Sequence, residues 1–347
     1  MAIRKRLLQL FFLVITGSAA FLAWRIFGSD TIFEESKKAL YIRTGSDFAR
    51  VQSQLQKGGF ITHAGLFNKL ASVKGYTDAT IQPGKYVIEK GSSINGIINL
   101  LKSGKQTPVT LVISKIRTRE GLIKKLAENF ECESAIISNF INSNDSLHSF
   151  AVDTNTVMSL IMPGSYNILW NASFQTIFKT LHQEYQKFWT TERLKNAADL
   201  GFTPQQVYTI ASIVEEETNK EEDKGKIASV YINRLNQGMA LGADPTIKFA
   251  LRDFELRRIY EKHLFVKSPY NTYQNKGLPP GPICTATEKT IDAVLNAPAT
   301  NYLFFVAKPD FNGYSNFAET YSEHLRYAKA YQQALDTLMR KKAEGRQ

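Results

Sequence analysis

A chain of 347 residues with 43% hydrophobic and 12% aromatic side chains can bury the cores of two or three domains, and that composition excludes a disordered protein. Lys and Arg number 43 against 32 Asp and Glu, a formal charge of +11; the excess favours polyanions (nucleic acid, anionic lipid or an acidic cell-envelope polymer) and is silent about fold. Two cysteines, Cys132 and Cys284, are too few for a disulfide framework or a zinc set; they are either two free thiols, the reading their helical and loop surroundings favour, or one bridge outside the cytoplasm.

Residues 1–6 form a basic tail. From Leu7 to Trp24 the sequence carries no charge, and eighteen helical residues rise about 27 Å, close to the hydrocarbon thickness of a bilayer. The spacing predicts a transmembrane helix over 7–27, with Arg25 reaching back to the head groups. Arg4, Lys5 and Arg6 before the span place the rest of the chain outside the cytoplasm, which weakens the nucleic-acid reading of the charge. A cleaved signal peptide is the alternative, with Ser18-Ala19-Ala20 a poor cleavage site.

A polar stalk is expected over 28–40 and a compact subdomain over 41–106. Phe48, Val51 and Leu55 share one face of a helix that stops at Gly58-Gly59, and 64–75 read as a second helix. Pro83-Gly84 turns into a strand, Lys85 to Ile88. Ser92 or Ser93 then caps a helix carrying Ile94, Ile97, Ile98 and Leu101, ended by Ser103-Gly104. Residues 107–114 are β-rich and mark a boundary, with the second domain running over 107–347. Residues 118–130 are a capped amphipathic helix, "MPGSYNILW" (162–170) a loop or strand edge, and 176–201 one long helix. No CxxC, HExxH, P-loop or GxSxG motif occurs, so neither a metal nor a cofactor is expected.

The stretch "GFTPQQVYTIASIVEEETNK" (201–220) opens a helix strongly: Thr203 caps, Pro204 fits the first position and Gln206 completes a capping box. Val207, Ile210, Ala211, Ile213 and Val214 define an apolar arc. Glu217 falls about 50° from its centre, Glu215 about 110°, and Glu216 near the opposite side. Glu216 is thus expected in solvent and Glu217 at the edge of the core, with Thr218 turned inward; Tyr208 widens the arc towards Glu215. Taken alone, glutamates near a helix end are usually a solvated face. A carboxyl partly removed from water beside two others has its pKa raised by desolvation and like charge, and can then donate a proton near neutral pH.

Further on come "VYINRLNQGMALGADPT", the rigid loop "SPYNTYQNKGLPPGPI", and "NYLFFVAKPDFNGYSNFAETYSEH", which reads as strand, turn and return strand. With "ASIVEEET", this ordered series over about 203–324 closely resembles the endolytic murein transglycosylases, the YceG-like family. The likeness extends more loosely back to residue 41, where "PGKYVIEKGSSINGIINLLKSGK" is similar to that family's LysM-like subdomain. The resemblance implies an α+β fold and, as substrate and partner, the glycan strands of bacterial peptidoglycan outside the cytoplasmic membrane. It implies non-hydrolytic cleavage of the β-1,4 bond between N-acetylmuramic acid and N-acetylglucosamine, leaving 1,6-anhydro-muramyl ends. In lytic transglycosylases the catalytic glutamate precedes Ser or Thr, and here only Glu217 does so, before Thr218.

By that resemblance Glu217 acts as acid and then base. Asp244, in Asp-Pro-Thr, is either a second carboxylate or a turn-forming hydrogen-bonding residue. Asn233 and Arg234 either bind sugar or clamp the helix to a loop. Tyr270, Asn271 and Tyr273 suit a sugar groove or pin their own loop. His324 is expected to be a hydrogen-bonded structural histidine. Gly164-Ser165 stands where the family carries Asp-Thr, with Ser165 able to keep a hydroxyl in the cleft, and Glu216, where the family carries Lys or Arg, adds negative charge expected to push Glu217 further up. A second reading keeps the fold as a catalytically weak wall-binding scaffold that recruits cell-wall synthases such as penicillin-binding proteins.

Overall fold

The computed structural model describes residues 2–344, and the side chains of residues 3–341. The chain divides into two compact units: residues 1–111 with 128–132 and 167–173, and residues 112–127 with 133–166 and 174–347. Helix and sheet are mixed, and among the described residues the strands pair in three two-stranded sheets.

The first unit begins with α1 (Ala2–Phe27). Residues Ile3–Phe27 are the one described helix long and apolar enough to cross a membrane, with a mean hydropathy of 2.0 over its most apolar window and none of that window buried. Then follow β1 (Lys37–Ile42), α2 (Phe48–Lys57), α3 (Ala64–Val73), β2 (Gly84–Glu89), α4 (Ile94–Ser103) and β3 (Val109–Ile113, of which 112–113 belong to the second unit). Strands β1 and β2 are antiparallel, running from Lys37 opposite Glu89 to Ile42 opposite Gly84. Their inner face meets the apolar stripes of α2, α3 and α4 in one core that includes Ile42, Val51, Leu55, Phe67, Tyr86, Ile97 and Leu101. Ser93 caps α4 by accepting from the Gly96 N–H, and Gly104 ends it in a left-handed conformation, a backbone that glycine adopts without steric penalty.

The expected stalk is not a free tether. Asp30 is buried and its carboxylate accepts from the Thr62 N–H at 2.8 Å, the Thr62 hydroxyl at 2.5 Å and His63 Nδ1 at 2.6 Å. Arg25 Nη1 lies 2.7 Å from His63 Nε2. Phe33 joins the core and β1 takes the last residues of the stretch. Its polar residues bind the unit's own backbone, so composition alone misread a folded segment as a linker.

The second unit contains α5 (Arg119–Asn129, of which 128–129 belong to the first unit), α6 (Ser134–Ile141), α7 (Asn144–Leu147), β4 (Gly164–Ile168, of which 167–168 belong to the first unit), α8 (Phe174–Phe188), α9 (Thr191–Asp199), α10 (Pro204–Glu217), α11 (Glu221–Asn236), α12 (Asp244–Leu251), α13 (Glu288–Leu295), β5 (Phe304–Ala307), β6 (Ser315–Ala318) and α14 (Tyr321–Glu344). The single helix expected over 176–201 is two, because Thr190 caps a fresh start by accepting from the Arg193 N–H. Asp-Pro-Thr, read as a turn, opens α12: proline within the first turn gives up only an N–H that has no partner inside the helix. Strands β5 and β6 pair antiparallel, Phe304 opposite Ala318 and Ala307 opposite Ser315. Neither Cys132 nor Cys284 is in a disulfide, and Cys284 is buried.

Candidate active site

Helix α10 is the centre of the second unit. Thr203 and Gln206 cap its start reciprocally, and every residue from Val207 to Val214 is buried. It packs against α9, α11, α12 and α13. Ser212 stitches the Pro-Gly loop onto it: its hydroxyl accepts from the Ile283 N–H at 3.0 Å, and its carbonyl lies 3.3 Å from Cys284 Sγ. Gly281 in that loop runs against the chain at Asn155, where a Cβ would lie 2.1 Å from the carbonyl oxygen, so only glycine fits there.

A helix sheathed on all sides has no ordinary solvent face, so each polar residue at its end must find a partner. The three glutamates find different ones. Glu215 accepts from the hydroxyls of Thr287 (3.0 Å) and Thr290 and lies 3.7 Å from Lys224 Nζ. Burial pushes its carboxyl up, but the Thr290 and Thr287 hydrogen bonds and the Lys224 charge outweigh that and hold it below the ordinary range. Glu216 takes both prongs of the Arg117 guanidinium, at 3.0 and 3.1 Å, with Lys115 Nζ at 3.5 Å. The expectation that Glu216 faces solvent is therefore corrected: its side chain is 15% exposed. The angular argument assumed one apolar face, whereas α10 is covered on the opposite side too, by the segment around Lys115 and Arg117.

Glu217, half-buried, accepts from the Tyr231 hydroxyl at 2.7 Å. Burial dominates its titration and raises it; the Tyr231 hydrogen bond pulls back, the like charge of Asp244 adds, Lys248 and Arg234 oppose, and the carboxyl stands pushed up to about 7. The upward direction follows the expectation, but the like charge comes from Asp244 rather than from Glu215 and Glu216, which are matched by Lys224 and Arg117. Tyr231 is fully buried on α11, and burial together with the Glu217 charge keeps its phenol protonated.

Asp244, exposed at the start of α12, accepts from the Tyr273 hydroxyl at 2.5 Å. Gly242 lets these groups approach: with φ at +58°, a Cβ there would stand 3.4 Å from Arg234 Nη1 and 3.7 Å from the Tyr273 ring. Arg234 in turn donates to the Leu241 and Leu303 carbonyls at 2.6 and 2.7 Å. Glu217, Tyr231, Arg234, Asp244, Lys248 and Tyr273 thus form one electrostatically coupled group.

The other expected residues lie in varied surroundings. Asn233 donates its amide to the Thr300 and Tyr302 carbonyls, a clamp from α11 to the strand region. Asn271, wholly buried, donates to the Leu264 and Val266 carbonyls and accepts from the Tyr273 and Gln274 N–H groups, so its amide pins the loop that carries Tyr273. Tyr270 packs its ring on Phe249, centroids 4.6 Å apart. Thr218 ends α10 in extended conformation and its hydroxyl accepts from the Lys220 N–H. Ser165 is exposed on β4. His324 lies against the Phe304 and Tyr321 rings; contrary to expectation its buried Nδ1 has no hydrogen-bond partner among the described residues. Among those residues no group of three or more His, Cys, Asp or Glu could hold a metal.

Sequence reasoning missed Tyr231 and Lys248. Tyr231 hides among the aliphatic positions of α11, yet a buried phenol needs a partner for its hydroxyl, and that need was the available signal. Lys248 carried none, because α12 itself went unread.

The model of the YceG-like family matches residues 40–330. A protein of Bacillus subtilis (strain 168) described as an endolytic murein transglycosylase is 29% identical over 323 residues, spanning 87% of each chain. A Streptococcus pneumoniae protein of the same description is 27% identical over 301 residues, covering 77% of this chain and 53% of the streptococcal one. The crystal structure of a YceG-like protein from Listeria monocytogenes superposes with a TM-score of 0.58 at 25% identity, over 84% of this chain and 99% of that one.

Proposed function

The chain belongs to the YceG-like family, and on that premise we propose that it is a membrane-anchored endolytic lytic transglycosylase with Glu217 as its catalytic residue. The observation that carries this is the carboxyl held near neutrality by burial and gripped by a single hydroxyl donor. Near pH 7 such a group is populated in both protonation states, as a residue that must give a proton and then take one requires.

Protonated Glu217 donates to the glycosidic oxygen, and the bond from C1 of the muramyl sugar to that oxygen breaks, releasing the glucosaminyl 4-hydroxyl. The carboxylate then accepts the proton of the muramyl C6 hydroxyl as O6 bonds to C1. Water does not enter, so no second carboxylate is needed to activate it. Asp244 then acts through its charge, holding the Glu217 proton on, while Tyr273 keeps Asp244 in place. Tyr273, 38% exposed, offers a ring on which a pyranose can stack; Asn233 and Asn271, whose amides are committed to backbone carbonyls, position the cleft rather than read acetamido groups. Helix α1 is the anchor, with the two units outside the cytoplasm. The first unit, similar in sequence to a LysM-like subdomain, is the second point of contact with glycan.

Digestion of purified peptidoglycan with mass spectrometry of the new ends tests this. Anhydro-muramyl ends are expected from the full chain and none from Glu217→Gln. Reducing ends would mean hydrolysis and make Asp244 a water-activating base; cleavage persisting in Glu217→Gln would leave the fold as a wall-binding scaffold for cell-wall synthases.

A further inference from the structure

Three adjoining cavities of the second unit lie beside the candidate site. The largest, about 360 Å³, is lined by Lys115, Arg117, Thr118, Lys125 and Phe254 among others, a volume within the range of small-ligand pockets, roughly 300–1,000 Å³. A second shares Arg117 and Phe254 with it and adds Glu216 and Lys248; a third shares Arg117 and adds Arg119 and Arg252. Six cationic side chains and one carboxylate, Glu216, line the three; Glu216 holds Arg117 in a fork, and Glu120, outside the lining, pairs with Arg252 at 3.4 Å.

The floor is aromatic. The Arg117 guanidinium lies 5.1 Å from the Phe254 ring centre and that of Arg252 5.0 Å from Phe249, so these two guanidiniums are stacked and preorganised. Thr118 caps the start of α5 by accepting from the Gly121 N–H, and both residues line the largest cavity, adding the positive end of a helix to the side-chain charge. Lys248, which lines the second cavity, also acts through its charge on Glu217.

We propose that this basic groove binds the carboxylates of the stem peptide on the muramyl residue being cut, so that the enzyme prefers peptide-bearing to bare glycan. The inference rests on the proposed function, because only a peptidoglycan strand brings carboxylates into register with the glycosidic bond. Two stacked guanidiniums with further basic side chains around them match short peptides carrying several carboxylates.

The test compares peptide-bearing strands with strands stripped by an amidase, using the full chain in detergent. The wild type is expected to show a lower KM on the peptide-bearing strand. Lys125→Ala is expected to raise that KM about tenfold, the loss of one charge-assisted contact, with kcat unchanged and the bare-strand KM unmoved; Lys125→Arg restores it. Equal KM values for the two substrates in the wild type, or a Lys125→Ala effect of the same size on both, would overturn the proposal. Calorimetric binding of a soluble stem tetrapeptide to Glu217→Gln, weakened by Lys125→Ala, separates the two readings. It stands even if no anhydro ends form, and its absence beside intact cleavage removes the groove alone.

Discussion

Tyr231 governs how long Glu217 keeps its proton. The hydroxyl donates to the carboxylate, favouring the ionised form, so it lowers a pKa that burial alone would set higher. If protonated Glu217 starts the reaction, kcat/KM is full below the Glu217 pKa and falls as pH rises through about 7. In Tyr231→Phe the ionised form loses its donor, the pKa climbs, and the falling limb moves to higher pH by about one unit, the worth of a hydrogen bond to a charged group. Profiles between pH 5 and 9 check this; a limb that stays in place or moves to lower pH counts against Glu217 as the acid. Glu217 itself was legible because its angle from the apolar arc of α10 survives folding. Glu216 was not, because periodicity reports the side of a helix that is apolar and is blind to a polar side roofed by arginine. Asn271 shows the same limit: an amide in a Tyr-rich loop looks like a sugar reader until its backbone partners are known.

Lys224 does for the helices what Tyr231 does for the carboxyl. Its side chain is 4% exposed and on α11 it joins Glu215 of α10 to Thr290 of α13, donating to Thr290 at 2.8 Å. Lys224→Met leaves Glu215 buried with hydroxyl donors and no countercharge, and is expected to destabilise the protein by about 3 kcal/mol, read as a lower urea midpoint. The double change Lys224→Met with Glu215→Leu should recover part of the loss; a single variant as stable as the wild type would show that the ion pair contributes nothing. At this scale the caps were the most readable feature: Thr203, Ser93 and Gly104 stand where their residue types place them. Thr190 carried the same signal, overlooked because the apolar pattern runs through it. Helix α12 was lost to the opposite error, since Asp-Pro serves turns and helix starts alike.

Two units with separate cores and one exposed apolar helix make the molecule, and a net charge of +11 draws it towards anionic surfaces. The Ile3–Phe27 helix of 25 residues is about 37 Å long, enough to span a bilayer with some tilt. The full chain should therefore stay with membranes through an alkaline carbonate wash, and a chain beginning at Gly28 should be released; release of both would remove the anchor. The apolar N-terminal helix was visible in composition and the mixed helix-and-sheet class followed from the family resemblance, whereas the folded state of residues 28–40 was not legible, because Asp30 looks like any linker aspartate until Thr62 and His63 close on it. That closure comes three residues after α1 ends. Under the proposed anchoring it ties α1 and the first core into a single lever, so a lipid environment that changes the inclination of one swings the other, and the distance from lipid at which this unit would meet a glycan strand becomes a property of membrane thickness.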